Sequence, residues 1–280
     1  IMTRISRYQD SMDKFIKTKS CISELEGNTR LKIYNIIDKT ENLIPIILLT
    51  VLNGQSKKNK YSQHGYYIAC GIEMMLIIVK INDNVNDKNT SKNIIQKLLT
   101  LINICLTQQI EYSQRILKKE KTIKIYYQLT KLLNKNLLEI INEDMIEYSE
   151  NIKKTDLLKF TFEKIKSPKT LITNIKQAKK EHLIKYINKK YGTVCQMALI
   201  MGWVLGGSNI KNMENLEKIG IQMGIMIKIS YDFSNLERDL EYAKEKTNNY
   251  VINFGIQESF EIFIENKSKF IEGCILHDIY

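Results

Sequence analysis

Apolar residues recur at three- and four-residue spacing along most of the chain, the period of a helix that turns one face to a core. On that pattern helices are predicted over 4–26, 29–38, 43–53, 60–83, 92–118, 121–148, 153–166, 170–190, 192–206, 213–246 and 256–272. The stretches GQSKKNK (54–60), NDKNTSKN (86–93), KSPK (166–169) and GGSNIKN (206–212) are polar, carry Gly, Pro, Asn or Ser, and read as loops. Two prolines, Pro45 and Pro168, and 12 glycines give too little turn punctuation for a sandwich, a barrel or an alternating α/β chain. An all-α protein is expected. No linker or internal repeat divides it, and 280 residues at 44% hydrophobic are enough for one core, so 1–280 reads as a single helical domain.

Two of these helices are more than amphipathic. Those at 60–83 and 213–246 are apolar nearly all round for several turns and then carry carboxylates and amides. The first ends in NDNVND (82–87), where Asp83 and Asp87 stand one turn apart and about 40° from each other around the axis. Two carboxylates so placed can share a divalent cation, and hard oxygen donors suit Mg²⁺. A plain solvated helix end is the competing reading, although acidic groups there oppose the helix dipole.

The second helix runs through GIQMGIMIKISYDFSNLERDLEYAKEKTNNYV (220–251). Gly220 and Gly224 allow another helix to approach closely. Tyr231, Asn235 and Asp239 lie at i, i+4 and i+8, drift only about 80°, and share a face that could hold a second metal position. Alternatively, Asp232, Glu237, Arg238 and Asp239 make ordinary surface pairs.

Charge and cysteines narrow the partners. The net charge is +11, but only five of the 42 basic residues are arginine, and the lysines are scattered rather than clustered with aromatics. No nucleic-acid partner is expected. Cys21, Cys70, Cys105, Cys195 and Cys274 lie far apart in apolar surroundings and read as reduced core residues. His64, His182 and His277 are isolated. The most apolar stretch, LIPIILLTVL (43–52), is too short to span a bilayer, and no signal-like segment opens the chain. A soluble, cytoplasmic protein is expected.

IACGIEMMLIIVKINDNVND (68–87) resembles the helix of isoprenyl diphosphate synthases that ends in an aspartate-rich motif, and GIQMGIMIKISYDFSNLERD (220–239) resembles their second acidic helix. The first motif reads Asp83-Asn84-Val85-Asn86-Asp87, with Asn84 where the family has a second Asp. The second reads Tyr231-Asp232-Phe233-Ser234-Asn235, with Lys228 where the family has Gln. The similarity runs from about residue 40 to 255. It implies a helical bundle of the class I terpenoid synthase type around a central active-site cavity.

Three departures shape the expected activity. The segment that grips isopentenyl diphosphate in elongating synthases corresponds to TENLIP (40–45), which has no cation. The Arg-Arg-Gly that follows the first motif is replaced by a stretch offering Lys88 and Lys92, and the family's Lys-Thr reads Gly192-Thr193. With the second-substrate clamp missing, the resemblance points to a class I terpene cyclase. Such an enzyme ionises one prenyl diphosphate, expected to be the C15 farnesyl compound, and cyclises the cation to a sesquiterpene hydrocarbon or alcohol. Its second motif is a triad at the spacing of Tyr231, Asn235 and Asp239.

On that resemblance Asp83 and Asp87 hold Mg²⁺ and ionise the substrate, and Asn235 and Asp239, with Asp232 in reserve for Tyr231, hold the last of three ions. Lys228, Lys189 and Lys246, with Lys244, are candidates to contact the diphosphate. Met75, Leu76 and Val79 on the first helix, Gly224, Ile227 and Tyr231 on the second, and Trp203 would wall the cavity. The family also implies a homodimer. An elongating isoprenyl diphosphate synthase of the farnesyl or geranylgeranyl type is the alternative, and a catalytically inactive binding or assembly subunit of the same fold is the second.

Overall fold

The apolar periodicity is realised as helices throughout the computed structural model, which describes residues 2–37, 42–59, 64–83, 88–142, 146–149, 175–208, 213–242 and 246–279. In chain order the helices are α1 (Met2–Thr18), α2 (Gly27–Ile37), α3 (Leu43–Asn59), α4 (Tyr66–Asp83), α5 (Lys88–Ile116) and α6 (Lys119–Ile141). After them come α7 (Lys180–Ile187), α8 (Thr193–Leu205), α9 (Met213–Ser234), α10 (Leu236–Tyr242), α11 (Tyr250–Phe254) and α12 (Ile256–Leu276). The expected helix at 153–166 and the KSPK loop lie outside the described residues, as do Asn84 to Asp87.

Helices α4 and α8 form the centre. Every residue from Ile68 to Val79 is buried, and so is every residue of α8 except Gln196. Fully burying one such Ile, Leu or Met side chain contributes about 1.5–3 kcal/mol, so these two helices carry a large share of the hydrophobic driving force. Around them, α5 packs on α4, while α3 and α9 flank α8 and α12 covers the far side of α9. Among the described residues, no helix is long and apolar enough to cross a membrane.

Several boundaries differ from the periodic reading, each for a local reason. The helix expected over 4–26 stops at Thr18, where the Ser20 hydroxyl takes over the backbone. It donates to the Ile16 carbonyl at 2.6 Å and accepts from the Ile22 amide at 3.3 Å, starting a 3₁₀ turn at Cys21–Glu24. GQSKKNK is no loop up to Asn59: it continues α3 because Gln55 and Ser56 turn inward, and Ser208 Oγ donates to Gln55 Oε1 at 2.7 Å. Lys57 and Lys58 then complement the helix C-terminus. Likewise residues 88–93 open α5 rather than forming a loop.

The helix expected over 121–148 ends at Ile141 because a side chain from elsewhere takes its terminal carbonyls. Lys190, 2% exposed, donates Nζ to the carbonyls of Glu139 and Ile140 at 3.0 Å each, and to that of Asn142. A buried ammonium on the negative end of a helix satisfies both charge and orphan acceptors. Tyr148–Ser149 then pairs antiparallel with Gln177–Ala178, inside what periodicity read as helix 170–190. Asn253 secures this ladder, accepting the Ala178 amide on Oδ1 at 2.7 Å, while Gln177 Nε2 donates to its carbonyl at 2.7 Å. The long helix expected over 213–246 breaks at Asn235 into α9 and α10 and is followed by the separate α11, whose N-cap Asn249 accepts from the Ile252 amide at 3.1 Å.

The glycine pair of α9 does what its spacing suggests. A Cβ at Gly220 would stand 2.5 Å from Gln196 Cα, and one at Gly224 would stand 2.4 Å from the Gly192 nitrogen and 2.5 Å from its Cα. Helix α9 therefore lies backbone against backbone on the turn Asn188–Gly192, a π-helical segment joining α7 to α8. Gly224→Ala forces two backbones apart, and we expect it to lower stability by about 1–3 kcal/mol. Gly54→Ala, in open space within α3, is expected to raise stability by about 0.5–1 kcal/mol. Urea unfolding midpoints at unchanged slope check both.

Candidate functional site

Helix α4 carries its apolar surface to the rim and ends on Asp83, whose side chain is 10% exposed. Helix α9 brings Lys228 and Asp232, one turn apart, to the same point. Lys228 Nζ donates to Asp232 Oδ1 at 2.6 Å and stands 3.6 Å from Asp83 Oδ2. One ammonium thus lies between two carboxylates from different helices, with the Lys228 and Asp232 side chains only 4% and 3% exposed.

The remaining acceptor capacity is filled from three directions. Tyr186 of α7 donates its hydroxyl to Asp83 Oδ1, and Asn248 Nδ2 reaches the same oxygen at 3.0 Å. Tyr191, in the π turn, donates to Asp83 Oδ2 at 2.5 Å. Asp232 Oδ2 accepts the Tyr250 amide at 2.7 Å, which ties α9 to the start of α11. A carboxylate offers about four acceptor sites, and those of Asp83 meet three hydrogen-bond donors and an ammonium.

The electrostatics follow from burial. Desolvation alone would lower the Lys228 pKa, but Asp232 and Asp83 outweigh it and hold the ammonium charged. Burial pushes the Asp232 carboxyl up to about 6 against the opposing pull of Lys228 and of the Tyr250 amide. Burial, then the Asp83 charge, raises both Tyr186 and Tyr191 well above the ordinary phenol range, so each remains a protonated donor.

The other expected residues are placed as follows. Asp87 and Lys244 lie outside the described residues. Asn235 and Asp239 make local contacts: Asn235 Nδ2 donates to the Tyr231 carbonyl at 2.8 Å, and Asp239 accepts from Arg238 Nη2 at 2.9 Å and from Asn249 Nδ2 at 2.9 Å. The Asn235 amide bonds to the Tyr231 carbonyl at 2.9 Å and the Asp239 amide to the Asn235 carbonyl at 2.8 Å, so the three residues keep their helical spacing, while the Asn235 Nδ2 and the Asp239 carboxylate are engaged by protein partners. The Tyr231 ring sits under Lys80 Nζ, 3.6 Å from its centroid, and 6.3 Å from the Tyr191 ring. Lys189 pairs with Glu139 at 3.7 Å, and Lys246 is exposed with Nζ 5.3 Å from the centre of the Tyr148 ring. Met75, Leu76, Val79, Ile227 and Trp203 belong to one packed apolar cluster beneath the rim, and Gly224 is the helix contact already described.

Sequence reasoning passed over Tyr186, Tyr191, Lys190 and Asn248. Residues five apart point about 140° away from each other on a regular α-helix. The π turn, whose hydrogen bonds span five residues, lets Tyr186 and Tyr191 meet on one carboxylate. A run of helical sequence gives no sign of such an insertion. Nor does the family pattern reveal that the residue in place of its Gln, Lys228, will reach back to Asp83.

These contacts test the two acidic positions as metal sites. Among the described residues, no group of three His, Cys, Asp or Glu side chains is arranged to hold a metal. Asp232 has both oxygens committed to protein donors and is buried, so the second position does not fit an ion that keeps several waters. The Asp83 side chain is 10% exposed at the rim, and an ion there would have to displace the tyrosine and Asn248 donors from its oxygens.

Removing the ammonium should expose the strain between the acids. Lys228→Met is expected to destabilise the fold by about 3–5 kcal/mol at pH 8, the usual result of leaving one member of a buried pair uncompensated. Asp232, at about 6 with Lys228 beside it, rises further without it. A fold that holds an acid of raised pKa gains stability as that acid protonates, and the variant's acid does so at higher pH than the wild type's, so the loss should shrink as the pH falls toward 6 and level off below it. Urea unfolding at pH 8 and pH 5 measures the difference.

No protein-family model and no curated protein sequence matches this chain. Solved structures do. A geranyltransferase from Helicobacter pylori complexed with magnesium and isoprenyl diphosphate shares 17% identity at a TM-score of 0.59, covering 97% of this chain and 89% of that one. A geranyltransferase from Legionella pneumophila gives 13% and 0.58, covering 97% and 90%. A geranylgeranyl pyrophosphate synthetase from Geoglobus acetivorans gives 14% and 0.54, covering 97% and 88%. Similarity across both chains at these identities establishes architecture: the protein has the all-α fold of the isoprenyl diphosphate synthases.

Proposed function

We propose that the protein binds prenyl diphosphates and acts as a chain-elongating prenyltransferase of the isoprenyl diphosphate synthase type. The observation that carries this reading is the meeting of Asp83 from α4 with Lys228 and Asp232 from α9 at the rim above a helix that is buried from Ile68 to Val79 and apolar there except for Glu73. Two carboxylates and one paired ammonium leave net negative charge, so Asp83 would receive a diphosphate head only through Mg²⁺, and the apolar side chains beneath suit a prenyl tail. In such a reaction the allylic C–O bond breaks, diphosphate leaves, the isopentenyl double bond attacks the allylic carbon, and a proton is lost. Mg²⁺ held by Asp83 and Asp87 would supply Lewis-acid neutralisation of the leaving group. Buried Met75, Leu76 and Val79 would keep water from the cation.

Full-length likeness to prenyltransferases and prenyl diphosphate synthases supports elongation over the cyclase expected from the sequence. The cyclase reading drew on a Tyr231, Asn235, Asp239 face, whose Asn235 and Asp239 side chains are engaged by protein partners, and on the TENLIP segment, whose lack of a cation still favours it. A second reading, the inactive binding or assembly subunit, is favoured by one specific observation: protein donors already occupy both oxygens of Asp83. The proposal retains the homodimer implied by the resemblance and the cytoplasmic location expected from the sequence.

Incubation with C5, C10 or C15 allylic diphosphate, isopentenyl diphosphate and Mg²⁺, followed by mass spectrometry, separates the three. We expect a longer prenyl diphosphate that requires both substrates. A cyclic product made without isopentenyl diphosphate would instead establish the cyclase, and no product from any substrate would leave the inactive subunit. Asp83→Asn, which keeps one acceptor oxygen, puts an amide donor where the second stood and loses the charge, is expected to lower kcat by about 10²–10³-fold, the scale of losing one electrostatic anchor of a transition state.

A further inference from the structure

Lys228 stands where the resembling family has glutamine, and its ammonium sits between the two acidic helices, 2.6 Å from Asp232 and 3.6 Å from Asp83. A divalent ion bridging those carboxylates would need the same space. The position is built for the ammonium. Its side chain is 4% exposed, and the other oxygen of Asp232 is fixed by the Tyr250 amide. The neighbouring acceptors are engaged as well, Asp239 by Arg238 and Asn249, while the Asn235 amide turns to the Tyr231 carbonyl.

We infer that the Lys228 ammonium replaces the divalent cation of the second acidic position, so that the site assembles on a diphosphate with fewer metal ions than the three its resemblance implies. A tethered monovalent charge neutralises less than Mg²⁺, but it is present before any ligand arrives and keeps Asp232 from competing for metal. It also repels a divalent ion approaching Asp232, so the two arrangements exclude each other. Metal ions then gather only on the Asp83 side of the diphosphate. This inference rests on the prenyl diphosphate reading.

Counting bound Mn²⁺ by electron paramagnetic resonance, with the full chain and saturating inorganic pyrophosphate, tests it without reference to turnover. The wild-type protein should bind no more than two Mn²⁺ per chain, and Lys228→Gln, which restores the family's residue, should bind one more. Asp232→Asn should leave the wild-type count unchanged, because that carboxylate holds no metal. Circular dichroism establishes which variants fold, and if Lys228→Gln does not, the wild-type and Asp232→Asn counts decide. Three ions on the wild-type protein, an unchanged count on folded Lys228→Gln, or a reduced count on Asp232→Asn would overturn the inference while leaving diphosphate binding intact. Failure of the wild-type protein to bind pyrophosphate with Mn²⁺ would remove the prenyl diphosphate reading and this inference together.

Discussion

A charged lysine buried against two carboxylates is the constraint around which the rim of this bundle is organised. Taking three ionisable groups out of water is costly, and their mutual attraction offsets that cost only where every remaining lone pair and proton finds a partner. Here the partners come from four separate stretches: Tyr186 on α7, Tyr191 in the π turn, Asn248 before α11, and the Tyr250 amide within it. Each contact fixes one element relative to α4 and α9. The cluster therefore sets the positions of the connecting segments, while the apolar packing of α4 and α8 supplies the stability that allows such a cluster to be buried.

The π turn is where backbone packing and polar chemistry meet. Gly224 lets α9 lie against the Gly192 backbone, and the extra residue in the turn rotates Tyr191 toward Asp83 and Lys190 toward the end of α6. Neither side chain could serve its partner from an uninterrupted helix. Lys190 in turn ends α6 at Ile141 and frees the following chain to form the short ladder with Gln177–Ala178. One glycine contact thus reaches both the site and the outer connections.

What the sequence makes legible follows from range. The all-helical class, the burial of α4 and the arrival of Asp83 at its end depend on residues three and four apart, and these are visible in GIEMMLIIVKIND. The close approach at Gly220 and Gly224 is readable for the same reason. The inward turn of Gln55 and Ser56 and the strand at Tyr148–Ser149 depend on partners tens to more than a hundred residues away, such as Ser208, Lys190 and Asn253. Local pattern carries no trace of those. The resemblance located Lys228 correctly on the acidic helix, but the residue type that differs from the family is the one whose partners the family pattern could not supply.

Whether the cluster is a resting state or a permanent lock depends on competition for Asp83. Its two phenol partners are neutral donors to a charged acceptor, and such a hydrogen bond contributes a net of about 1.5–3 kcal/mol. Because burial and the Asp83 charge keep both phenols protonated, they do not become anions that would reinforce or repel an arriving metal. A divalent ion brought with a diphosphate would meet one rim carboxylate held by neutral donors and one ammonium already neutralised by Asp232. Displacement of tyrosine hydroxyls at Asp83 is then far less demanding than displacement of Lys228 from Asp232, where a buried charge would lose its partner. On that comparison a metal would win Asp83 from its neutral donors before it won Asp232 from Lys228.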